Sequence, residues 1–231
     1  MIEFQKVSKS YAPSEFALRD VDLRIEQGEF VFLCGPNGAG KTTLLKLINV
    51  MEKPTSGEVV IDGTSSRSMR RKDIARLRRK IGIILQDLRL LRTRTVEENV
   101  RLALEVTDAH KDTHTAKLVK VLTYLDLLSK RDLYPSELSW GEQQKVSIAR
   151  AIVNQPFILL ADEPTEKLDD TASAEILEIL RDVNLWGTTV ILASHHTDLA
   201  VKGANRLVRL MRGVLERDAT LWDNPVNKIS R

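Results

Sequence analysis

The chain has 231 residues, 42% of them hydrophobic and 29% charged, enough for one large α/β domain with a substantial core. Its 35 Lys and Arg nearly balance 32 Asp and Glu for a net charge of +3, which does not mark a strongly basic nucleic-acid binder or a charge-driven disordered chain. A single cysteine excludes an internal disulfide framework. No apolar run approaches the about 18 residues of a membrane span, so the expectation is a soluble, cytoplasmic protein in a reducing compartment. The opening Met1-Ile2-Glu3-Phe4 also lacks a basic-then-apolar export signal.

Residues 2–7 alternate weakly and read as a strand, and 8–14 read as a turn-rich loop. Tyr11 in that loop is either a surface tyrosine or an aromatic platform on which a base can stack. Residues 21–25 alternate as a half-exposed strand. The unbroken apolar run 30–34 reads as a buried strand, with Cys34 as a small hydrophobe at its end, and 43–48 as a helix. Between them stands Gly35-Pro36-Asn37-Gly38-Ala39-Gly40-Lys41-Thr42, which fits G-x-x-x-x-G-K-[ST]. Glycines at those positions let backbone N–H groups close around phosphate oxygens, while the helix start adds its positive dipole end. Lys41 would reach the β- and γ-phosphates and Thr42 would offer its hydroxyl to Mg²⁺. Nucleotide binding is the premise for the rest of the chain.

Residues 58–61 form a further short strand between turns at 54–57 and 62–63. Basic residues crowd from 67 to 80; a solvated helix face is the plain explanation, and an anionic surface or polyphosphate site the alternative. The buried strand 81–85 ends at Gln86-Asp87, where open α/β sheets place ligands. Helical periodicity over 95–107 and 114–128 predicts an inserted helical subdomain. His110 and His114 stand four apart, but no Glu or Cys completes a zinc site, so this stretch reads as linker.

Ser139 and Glu142 have the spacing of a capping box ahead of a helical run at 145–153. Residues 157–161 are the most apolar strand, and Asp162-Glu163 follows it: an Asp there can hold Mg²⁺ and a Glu can deprotonate water. A helix from 169 to about 186, a buried strand 188–192 ending at Ala193-Ser194-His195-His196, and a hairpin of 206–211 with 214–215 about Gly213 close the fold. From 218 to 231 there is no readable pattern.

The phosphate loop, Gln86, residues 138–144, 158–163 and His195, in that order, resemble the nucleotide-binding subunit of an ABC transporter, over residues 2 to about 217. The resemblance implies an α/β fold: one ABC-type ATPase domain over 1–231 with a RecA-like P-loop core, an N-terminal antiparallel β subdomain and an inserted α-helical subdomain. The β-rich part and P-loop core would span 1–86, the helical subdomain about 87–153, the remaining core about 154–217 and a short tail 218–231. It implies ATP and Mg²⁺. By the same resemblance Tyr11 stacks on adenine, and Gly35, Pro36, Asn37, Gly38, Ala39, Gly40, Lys41, Thr42 and Thr43 hold the phosphates. Thr42, Gln86 and Asp162 surround Mg²⁺, Glu163 is the catalytic base, and His195 contacts the γ-phosphate. Ser139, Gly141 and Glu142 belong to a signature that crosses to the nucleotide of a second copy, implying a head-to-tail homodimer with ATP between subunits.

Within that family, residues 28–33, 86–91, 95–100, 141–144 and 159–165 are most similar to the cell-division branch, which implies an FtsX-like integral-membrane partner, control of cell-wall hydrolases and a place on the inner face of the cell membrane. Cassettes for lipoprotein release, macrolide efflux or amino-acid import share parts of these segments. No nucleic acid is expected as partner, although the basic run keeps a soluble nucleic-acid ATPase as another class. Three departures stand out: Trp140 where the family has glycine, Glu166-Lys167 in place of Gly-Asn, and His196 in place of Asp or Asn. They lead to the expectation of secure ATP binding with slow closure and hydrolysis, or, in the extreme, a weakly catalytic regulator.

Overall fold

The structure, a computed structural model, describes residues 1–12, 15–107, 111–196 and 204–220. In chain order it runs β1 (Ile2–Ala12), β2 (Glu15–Ile25), β3 (Phe30–Cys34), α1 (Lys41–Ile48), β4 (Ser56–Ile61), β5 (Thr64–Ser65), α2 (Arg71–Arg79), β6 (Ile81–Ile84), α3 (Val96–Val106), α4 (Lys111–Tyr124), α5 (Trp140–Ile152), β7 (Ile158–Asp162), α6 (Asp170–Leu185), β8 (Thr189–Ser194), β9 (Arg206–Met211) and β10 (Val214–Thr220). His110, Trp222 and Pro225 lie outside the described residues.

Two sheets form. An antiparallel one has the order β2-β1-β4-β5; the other has the order β10-β9-β3-β8-β7-β6. In the second, β3, β6, β7, β8 and β9 are parallel and only β10 runs against its neighbour. Its central strands are buried on both faces, which is why they read as continuous apolar runs. Phe30, Phe32 and Cys34 face a core shared with α3, α4, α5 and α6, whereas Val31 and Leu33 face a second core with α1 and the antiparallel sheet. Registers Cys34↔Ser194, Asp162↔Ala193 and Ile84↔Ala161 bring the C-terminal ends of β3, β8, β7 and β6 to one edge. The phosphate loop, Gln86, Glu163 and His195 each follow one of those ends, so parallel pairing alone gathers them.

The structure differs from the sequence expectation at several boundaries. Residues 8–12 are paired strand, not loop, and β2 begins at Glu15 rather than at 21: Lys9 faces Leu18, Ser10 faces Phe16 and Ala12 faces Glu15. Register shifts interrupt this hairpin repeatedly, and Lys6 and Asp20 adopt positive φ, so the period-2 alternation that would reveal a strand is broken. Helix α5 starts at Trp140, directly behind its capping box, rather than at 145. Helix α4 ends at Tyr124, before Asp126 turns left-handed (φ 56°), rather than at 128. Strand β10 continues to Thr220, and the Asp218 carboxylate there pairs with Arg206 at 2.6 Å.

The basic run is mostly exposed and only Leu77 of α2 is buried. Arg78 nevertheless supports the fold, because its guanidinium donates to the carbonyls of Asn49 and Val50 at the end of α1. No helix among the described residues is long and apolar enough to cross a membrane.

Candidate active site

The phosphate loop is shaped by close backbone approaches. A Cβ on Gly35 (φ 152°) would stand 2.2 Å from the Leu210 carbonyl oxygen, and one on Gly40 (φ 106°) 2.4 Å from that of Ala17. Strands β9 and β2 therefore clamp the two ends of the loop, and only glycine fits. Gly38 is different: its φ of 78° favours glycine, but nothing among the described residues lies within 4 Å of where a Cβ would be. Its far side is open, as a surface meant to receive another molecule must be.

Below the loop, Lys41 is buried, 6% exposed, and its ammonium donates to the Gly35 carbonyl at 2.8 Å. It also stands 3.3 Å from Glu163 Oε1. A buried cation on carbonyls and one carboxylate is poised to transfer its hydrogen bonds to phosphate oxygens. Thr42 Oγ1 donates to Asp162 Oδ2 at 2.8 Å, while Asp162 Oδ1, also buried, has no hydrogen-bond partner among the described residues. Burial first, and then the neighbouring Glu163 charge, push the Asp162 carboxyl above its ordinary value despite the Thr42 bond. An acceptor without a donor beside a hydroxyl fits a divalent cation with its water shell. Thr42 and Asp162 would hold Mg²⁺ there, and Gln86 lines the cavity that Thr42 also lines.

Glu163 follows β7 with φ 47°, a left-handed conformation unusual for a non-glycine residue. Its N–H still bonds to the Ala193 carbonyl at 2.8 Å, so the kink turns the side chain out of the strand without freeing the backbone. Its Oε2 lies 3.0 Å from His195 Nδ1 and accepts from the His195 N–H at 3.3 Å. Burial alone would raise the Glu163 carboxyl, but bonds from His195 and Ser194 and the Lys41 charge prevail and hold it below the usual range. It is thus a carboxylate at neutral pH, the form a general base requires. His196 packs on His195 with ring centroids 4.0 Å apart.

A cavity of about 430 Å³ joins residues 37–43 with Tyr11, Gln86 and Glu163. Tyr11 is 53% exposed; its hydroxyl donates to Glu52 at 2.9 Å, and Lys9 both pairs with Glu52 and lies over the ring. These contacts hold the ring at the mouth. Phe16, across the same opening, was not expected from the sequence, because the hairpin that brings it there was itself hidden. Cys34 is buried and its thiol is pushed up by burial, as a packing residue should be.

Ser139, Gly141 and Glu142 do not line this cavity. Ser139 Oγ accepts from the Glu142 N–H and Glu142 Oε2 accepts from the Ser139 N–H at 2.8 Å, so the expected capping box caps α5. The other Glu142 oxygen pairs with Lys130; that bond and the Ser139 N–H lower its pKa to about 2. Trp140 sits in ordinary helical backbone, so replacing glycine costs it no strain there. Its indole leans over its own subunit, under the Lys167 ammonium at 4.7 Å. Glu166, the other member of that departure, accepts from Gln86 Nε2 at 2.8 Å. Neither contact was legible in the chain, since the partners are far apart in sequence and exposed.

Residues 18–166 match the family model described as "ABC transporter". The chain belongs to the ABC transporter family. It is an ATPase of that family, and the phosphate loop with Asp162 and Glu163 lies within the matched region. The chain is 41% identical over 218 residues to the "Cell division ATP-binding protein FtsE" of Bacillus subtilis (strain 168), covering 94% of this chain and 96% of that one. To the protein of the same name from Mycobacterium tuberculosis it is 43% identical over 219 residues, covering 94% and 95%. Among solved structures, the post-hydrolysis dimer of the ATP-binding cassette MJ0796 bound to ADP and Pi superposes with a TM-score of 0.87 at 35% identity, covering 96% of this chain and 99% of that one. The two-sheet fold with its helical subdomain is accordingly that of an ABC cassette.

Proposed function

We propose that this ABC cassette is the ATP-hydrolysing subunit of an FtsE-like complex. Two copies close head to tail around ATP and act on an FtsX-like integral-membrane partner that controls cell-wall hydrolases during cell division, at the inner face of the cell membrane. The observation that carries the reading is identity above 40% with two proteins named FtsE along nearly the full length of both chains.

The surroundings of each residue support a distinct role. Lys41 and the start of α1 receive the phosphates, with Tyr11 as the base platform. Thr42 and Asp162 hold Mg²⁺, which when bound would offset phosphate charge. Gln86 orients the attacking water, Glu163 accepts its proton, and His195 steadies the γ-phosphate side. Gly141 supports the two-copy arrangement. Its φ is not positive, and a Cβ would meet only Ala172 at 3.8 Å and Leu168 at 3.9 Å. Nothing among the described residues of the subunit requires glycine there, although glycine costs a helix about 0.5–1 kcal/mol relative to alanine. A close contact from outside the subunit accounts for it.

With Glu163→Gln and ATP, size-exclusion chromatography should show a stable dimer that wild-type protein forms only transiently, and an FtsX-like protein should co-purify from membranes. A monomer under those conditions would remove the sandwich. Co-purification with a solute permease instead would assign the cassette to an import or efflux complex.

A further inference from the structure

Gln86 is on the loop after β6, and an exposed glutamine amide ordinarily rotates among orientations. Here one orientation is selected. A carboxylate can only accept, so the 2.8 Å contact with Glu166 Oε2 requires that the amide nitrogen face Glu166. The amide oxygen, the one atom of that side chain able to coordinate a cation, then lies on the other side. The Glu166 carboxylate is exposed, but the backbone that carries it is anchored in a turn. Its N–H bonds to the Glu163 carbonyl at 3.3 Å, the Leu168 N–H bonds to the Thr165 carbonyl at 3.1 Å, and Thr165 is buried, 5% exposed. The turn that carries the candidate base therefore also delivers the carboxylate that reads Gln86.

We propose that Glu166 is a positioning residue that fixes the Gln86 amide with its oxygen toward the metal and phosphate side of the cavity. The proposal rests on the reading of Gln86 as the residue facing Mg²⁺. It assigns a use to a departure from the family pattern: the side chain at 166 supplies an orientation that a glycine there cannot. Glu166 touches neither nucleotide nor metal in this role; it acts through Gln86, by removing the flipped amide that would present two N–H donors to a cation.

The experiment is a binding measurement on the full chain with a fluorescent ATP analogue, titrated once in EDTA and once with Mn²⁺. The ratio of the two Kd values is the metal's contribution to nucleotide binding. Gln86→Ala should lower that ratio about tenfold, the low end for groups around a metal, because the site is open to water. Glu166→Lys should lower it equally, since an ammonium attracts the amide oxygen and inverts the side chain. Glu166→Ala should fall about threefold, and Glu166→Gln, which still offers an acceptor, should keep the wild-type ratio. Binding in EDTA should be unchanged in Glu166→Ala and Glu166→Gln.

If Glu166→Ala and Glu166→Lys match wild type while Gln86→Ala does not, the positioning role is wrong. If Glu166→Gln falls as far as Glu166→Ala, the charge and not the orientation is what matters, which also overturns it. If Gln86→Ala leaves the ratio unchanged, the metal-facing reading of Gln86 fails instead.

Discussion

The nucleotide side and the signature end of this chain are built on opposite principles. Lys41, Asp162 and Glu163 are each no more than 8% exposed and are linked by short bonds across α1, β7 and β8. Ser139 and Trp140 are exposed at the start of α5, outside the cavity, with their backbone satisfied by local capping. The first region is finished inside one subunit and holds charges at an energetic cost; the second is stable by itself and leaves a glycine unexplained. Burial without complete pairing, as at Asp162, is the mark of a site awaiting a ligand. Conformational freedom without an internal reason, as at Gly141, is the mark of a surface awaiting a partner.

Substitutions on the two sides should therefore separate stability from activity differently. The largest effect is expected for Lys41→Ala, which should lower ATP turnover by about 10²–10³ through loss of a buried phosphate-stabilising cation. A steady-state assay checks it, and turnover within about threefold of wild type would contradict the nucleotide-side assignment. Gly141→Ala comes next. Thermal melting should be unchanged or slightly raised, by the helix preference of alanine, while turnover falls about tenfold; a fall in stability instead would show that the glycine serves the subunit's own packing.

Trp140→Gly probes the same surface in the other direction. Turnover should rise if the indole slows closure, and equal rates in the two proteins would end that idea. Because Lys167 covers the indole, Lys167→Met should alter the size of the Trp140→Gly effect, a coupling that a double-mutant cycle reads directly. Asp162→Asn should raise the melting temperature of the nucleotide-free protein by about 2–4 °C, the shift per kcal/mol in a chain of this size, while lowering metal-dependent turnover. A lowered melting temperature would mean that the buried charge supports the fold.

The smallest effect concerns pH at the signature cap. Glu142 falls from 4.5 to about 2 on folding, so its contribution is fully present above pH 4.5 and is lost as pH falls toward 2. The stability difference between wild type and Glu142→Gln should be flat above pH about 5 and shrink below it. A difference independent of pH across that range would show that packing, not ionisation, carries the cap.

Much of the site was legible because it rests on local rules. A glycine-rich loop between a buried strand and a helix, a carboxylate pair after the most apolar strand and a capping box are all short-range patterns, and each stands where it was expected. The hairpin of β1 and β2 was illegible for an equally local reason, since its register shifts destroy the alternation from which strands are read. The departures at 140, 166 and 167 were visible as residues but not as neighbours. Only folding brings Glu166 onto Gln86 and Lys167 onto Trp140.

The amino-acid order by itself determined the local pieces: which residues form the glycine-rich loop between a buried strand and a helix, which carboxylates follow core strands, and the family to which they belong. The tertiary structure decided the relations. Parallel register placed four strand ends at one edge, the kink at Glu163 set a carboxylate between Lys41 and His195, and the ordinary contacts at Gly141 left its glycine without a reason among the described residues. The physical reason is range. Phosphate cradling and helix capping act over a few residues, whereas the orientation of one amide by one carboxylate depends on pairs that only a packed core can hold together.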